Sequence, residues 1–79
     1  MRQPVRDLIE IVHNQLPRQL KKELSVNVEA DAFYLRCKAT FTNKNKREWS
    51  VYLVPEVFEG VEIRCKIPEE FLAQLCVSV

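Results

Sequence analysis

Few residues in this 79-residue chain are equipped for covalent or acid–base chemistry: one histidine, His13, and three cysteines, Cys37, Cys65 and Cys76. A nucleophilic thiol needs an adjacent base and donors for the developing oxyanion. Nothing near Cys76 in the sequence supplies either. Cys37 and Cys65 share the inward phase of alternating segments and read as small core residues, whose nearness to each other would not make a metal site. An odd number of widely spaced cysteines without a CxxC pair suggests neither a disulfide framework nor zinc, so reduced thiols are expected. His13 lies beside an apolar helical stripe with no partner and reads as a boundary residue. Glu69 and Glu70 are adjacent on a helix and point apart, so they suit the start of that helix better than a carboxylate pair. With Gly60 as the only glycine, no phosphate-cradling loop is available. The expectation is a non-enzyme with no catalytic residue, no metal ligand and no cofactor.

Binding chemistry has more material. Tyr34, Arg36, Lys38, Tyr52, Arg64 and Lys66 fall on the outward phase of the expected strands, and Lys44, Lys46 and Arg47 form a basic turn. Exposed tyrosines stack on bases at about 1–3 kcal/mol each while cations hold phosphates, so this set could serve as a platform for single-stranded RNA or DNA. The same set is also what the solvated face of any half-buried sheet carries. Glu62 shares the phase, and Lys and Arg number 12 against 11 Asp and Glu, a net charge of +1 that gives little long-range attraction to a polyanion. Ile11 lies off the main helical stripe, and the C-terminus, Leu75 to Val79, is nearly all apolar; both suggest contact with another chain. The favoured reading is a small protein-interaction or regulatory module whose partner is another protein or a second copy, a homodimer included. Nucleic-acid binding through the outer sheet face is the alternative. Apolar runs are far shorter than the roughly 20 residues of a membrane span, and no signal-peptide core follows Met1, so a cytoplasmic protein without a membrane partner is expected.

The elements that must position these residues follow from periodicity. Val5, Leu8, Ile9, Val12 and Leu16 form one helical stripe, with Pro4 in the first turn and Asp7 and Glu10 toward the positive end of the dipole. Pro17 predicts a kink or break near Asn14 to Leu16, and Leu20 and Leu24 continue the stripe through a second helical piece ending at Lys22 or Glu23. The period then becomes two. Val26, Val28 and Ala30 face inward in a first strand; Phe33, Leu35, Cys37, Ala39 and Phe41 do so in a second, after a turn at Asp31-Ala32. Trp49, Val51 and Leu53 make a third, after the polar turn Asn43 to Arg47. Pro55 to Gly60 reads as a connection, because proline cannot donate to a ladder. Val61, Ile63, Cys65 and Ile67 form a fourth strand, and Pro68-Glu69-Glu70 opens a short helix carrying Phe71, Leu72 and Leu75. Val77 to Val79 could add an edge strand.

The fold class expected is therefore α+β, one domain over residues 1–79. An N-terminal amphipathic helix, kinked near Pro17, packs on a four-stranded antiparallel meander, and a short C-terminal helix closes one end. This order of elements is similar to that of double-stranded RNA-binding domains, but their basic second helix is replaced here by one that begins Glu69-Glu70. It also resembles Sm-like barrels, without their glycine-bearing strand bends.

Overall fold

Proline at position 17 divides the N-terminal helical region in two. α1 spans Val5–His13 and α2 spans Arg18–Glu23, with Pro17 extended between them at φ −56° and ψ 152°. A residue that offers no N–H and crowds the turn before it ends one helix and permits the next to begin after it. Of the kink or break expected from the sequence, the structure has the break: two separate helices stand in place of one helix kinked near Pro17. His13 links them, its Nε2–H donating to the Lys21 carbonyl at 3.1 Å. The apolar stripe keeps its phase through the break: Leu8, Val12, Leu16, Leu20 and Leu24 are all buried. A computed structural model describes residues 5–31, 36–58 and 62–79, and side chains within 7–31, 36–54 and 65–79. Phe33, Tyr34, Leu35 and Gly60, and the side chains of Val5, Ile63 and Arg64, lie outside them.

β1 (Ser25–Ala30), β2 (Cys37–Thr42) and β3 (Glu48–Tyr52) form an antiparallel sheet in the order β1-β2-β3. Register follows the alternation. Val26, Phe41 and Trp49 stand in one row and Val28, Ala39 and Val51 in the next, while Asn27, Thr40 and Ser50 line up on the other face. The inward rows bury Val28, Cys37, Ala39 and Phe41. A one-residue slip would put that set in water, which is why the pairing is specific.

The fourth strand does not join this sheet, so the expected four-stranded meander is corrected. After β3 the chain passes through buried Leu53 into β4 (Val54–Phe58), which pairs antiparallel with β5 (Glu62–Lys66) as a second, two-stranded sheet. Most of the stretch expected to be a connection is therefore strand. Pro55 permits this because it stands opposite Cys65, whose carbonyl is turned to the Gln15 side chain, away from β4. Pro55 occupies a pair at which the ladder uses no N–H.

α3 (Glu69–Ser78) follows Pro68, with Glu69 and Glu70 in its first turn as the dipole favours. Leu75 is fully buried, Phe71 and Leu72 pack against the core, and the Phe71 ring lies 5.7 Å from that of Phe41. The C-terminal residues considered as an edge strand are helical through Ser78. One cluster, drawing on all three helices and both sheets, forms the core among the described residues. No helix among them is long and apolar enough to cross a membrane.

Candidate functional site

The residues singled out on the outward phase are distributed over different elements. Lys38 and Tyr52 are cross-strand partners on the outer face of the three-stranded sheet, where Tyr52 is 63% exposed. Glu29 is the partner of Lys38 on its other side. The rest of that face is short and polar: Ser25, Asn27, Thr40, Thr42 and Ser50, with Glu48 at its end. Thr40 Oγ1 and Ser50 Oγ share a 3.2 Å hydrogen bond. Arg36 sits in the β1–β2 connection, its carbonyl accepting from the Asp31 N–H at 3.2 Å. Arg64 and Lys66 belong to the other sheet, and Lys66 Nζ lies 3.9 Å from Glu69 Oε1 on α3. Tyr34 lies outside the described residues. The nine candidates thus include one adjacent pair on the outer sheet face and one turn.

That turn, Asn43 to Arg47, is tightly built. The Lys46 N–H donates to the Asn43 carbonyl at 3.1 Å and the Asn43 N–H to the Arg47 carbonyl at 3.0 Å. Asn43 Oδ1 accepts from the N–H groups of Asn45 and Arg47 at 3.0 and 2.9 Å. Lys46 closes the loop in the left-handed region, φ 68°, where a side chain other than glycine's is disfavoured. Arg47 places its guanidinium carbon 4.9 Å from the centre of the Trp49 ring, a cation–π distance. Lys44 reaches the rim of an open groove of about 290 Å³, lined also by Lys22, Glu23, Leu24, Ser25, Thr42 and Asn43. Lys22 of α2 thereby meets Lys44 of the basic turn, with Glu23 beside it. Nothing in the sequence marks this juncture, because it joins a helix and a turn that only the fold brings together.

Ile11 is half-buried and packs against the core. Outward apolar surface is found instead on the later turns of α3, beside the exposed Glu70 and Gln74. Leu75 is at 0% exposure while Val77 is at 87%, and Ala73 and Cys76 are exposed beside Val77. Residues 73, 76 and 77 are one turn apart and share a face. The signal was in the sequence: Phe71-Leu72-Ala73 followed by Leu75-Cys76-Val77 has too many apolar residues for a one-sided helix.

The cysteines divide in the same way. Cys76 is exposed; Cys37 and Cys65 are buried, and the Cys65 thiol donates to Cys37 Sγ at 3.3 Å. Burial, with the neighbouring Cys37 sulfur adding to it, pushes the Cys65 thiol up to about 12. Gln15 carries no signal in the sequence, since its partners are backbone groups far along the chain. Its amide N–H donates to the Cys65 carbonyl and its Oε1 accepts from the Ile67 N–H, each at 2.8 Å. No group of three or more His, Cys, Asp or Glu among the described residues is placed to hold a metal ion. Among known proteins, no family model, no curated protein and no solved structure matches the chain.

Proposed function

We propose that the chain is a non-enzymatic protein-interaction module that binds through the outward face of α3, with self-association as the form to test first. The observation that carries this reading is Val77, 87% exposed on a helix whose opposite side is fully buried at Leu75. An apolar helix face left in water is a docking surface or an aggregation liability. Small domains of this size commonly gain stability from association.

Sedimentation of the wild type and of Val77→Asp tests it. The expected result is a wild type heavier than a monomer at high concentration, and a variant that stays monomeric with unchanged far-UV circular dichroism. A wild type that is monomeric throughout, with Val77→Asp equally soluble and no partner whose binding the substitution weakens, would sink the reading.

The meeting of Lys22 and Lys44 across one groove favours a second reading, binding of single-stranded nucleic acid along α2 and the β2–β3 turn. Affinity should then fall steeply with salt and drop in Lys22→Glu and Lys44→Glu, while Lys38→Glu leaves it unchanged. Salt-independent or undetectable binding removes this reading.

A further inference from the structure

Cys37 and Cys65 approach each other from different sheets, one at the start of β2 and the other near the end of β5. Their sulfurs are 3.3 Å apart in a core that leaves them 2% and 1% exposed. Both backbones are held where they stand. The Cys37 carbonyl accepts from the Leu53 N–H at 2.7 Å, and the Cys65 carbonyl accepts from the Gln15 side chain at 2.8 Å. Disulfide sulfurs lie about 2.05 Å apart, so bond formation from 3.3 Å requires an approach of only about 1.3 Å. Rotation about the two side-chain torsions is the movement that would close this gap.

We propose that Cys37 and Cys65 are a disulfide site, at which oxidation fastens β2 to β5 and reduction returns the pair to two contacting thiols. A low-molecular-weight disulfide serves as oxidant. One cysteine attacks it, forming a mixed disulfide and releasing one small thiol; the other cysteine attacks the mixed disulfide at the protein sulfur and releases the second. Two electrons pass from the cysteine pair to the small disulfide, and the two cysteine protons end on the two released thiols. Because the sulfurs are buried and the Cys65 thiol holds its proton to high pH, this exchange proceeds from a locally opened or still-folding chain rather than from the closed core. Once made, the bond is shielded from reductant by the same packing.

The test uses the full chain carrying Cys76→Ser, which removes the exposed thiol and leaves the buried pair intact. It is refolded from urea in a glutathione redox buffer, alkylated after being unfolded again in urea, and examined by intact mass and peptide mapping beside a sample kept in dithiothreitol without alkylation. The expected result is a mass lower by two hydrogens, a Cys37–Cys65 cross-linked peptide, and a melting temperature raised by roughly 10–20 °C over the reduced protein. Full alkylation of both cysteines after refolding overturns the proposal, as does glutathione retained on either one. A cross-linked protein that melts at or below the reduced form also overturns it, because the bond would then distort the fold rather than fasten it.

Discussion

The Gln15 carboxamide does with one side chain what a neighbouring strand does with its backbone. It offers one donor and one acceptor to the free edge of β5, meeting the Cys65 carbonyl and the Ile67 N–H. Gln15→Ala leaves both backbone groups without this partner beside the core, and urea unfolding should show a loss of about 1–3 kcal/mol. Gln15→Glu keeps an acceptor for Ile67 but sets a carboxylate oxygen against the Cys65 carbonyl, so it should not restore the wild-type stability. Cys65 supplies a second prediction at this scale. Its thiol is raised from 9.0 to about 12 in the folded protein, so between those values the unfolded chain binds fewer protons than the folded one. Stability is therefore complete below about pH 9 and falls as pH rises, by up to about 1.4 kcal/mol per unit. Urea melts of reduced protein at about pH 8 and about pH 10.5 should differ accordingly, and by less in Cys65→Ala; equal losses in both proteins would place the titration elsewhere.

Among the elements, the β2–β3 turn carries strain that a substitution can relieve. Lys46→Gly at φ 68° should raise stability by about 1 kcal/mol, seen as a melting temperature higher by about 4–8 °C. Lys46→Val should lower it. The turn was legible because Asn43 and its polar neighbours are typical turn residues, although the positive φ at a lysine was not. The α1 stripe and the first three strands were legible for a related reason: each buries one face, and one buried face writes its period into the chain. β4 hid behind Pro55, since a proline's compatibility with a ladder depends on which edge its nitrogen faces, and the pattern of side chains does not carry that. α3 was legible as a helix, but the contrast between its buried Leu75 and exposed Val77 emerged only with the packing. The outward basic residues appeared as one set because alternation gives each strand's phase but not which sheet the strand joins. Arg64 and Lys66 therefore read as neighbours of Lys38 when they belong to the other sheet.

Taken whole, the molecule is elongated, 37 by 20 by 17 Å, with a core built around few large side chains. Phe41 is at the centre of that core, at 0% exposure, in β2 between two strands and in contact with Phe71 of α3. A single core in a chain this short supplies about 3–5 kcal/mol, and truncating a buried phenylalanine costs a similar amount. Phe41→Ala should accordingly abolish cooperative unfolding, checked by thermal circular dichroism and by loss of amide dispersion in NMR spectra. A variant that still melts sharply near the wild-type temperature would contradict this placement. Leu53 has a different kind of influence over the same molecule. It is the single residue between β3 and β4, buried, with its N–H on the Cys37 carbonyl. The strand partnered by β2 on one side of Leu53 is thus continuous with the strand partnered by β5 on the other. Neither sheet can slide along its partner alone: a shift in the first sheet is inherited by the second, and the two-stranded sheet, too slight to persist in water by itself, takes its alignment from the three-stranded one.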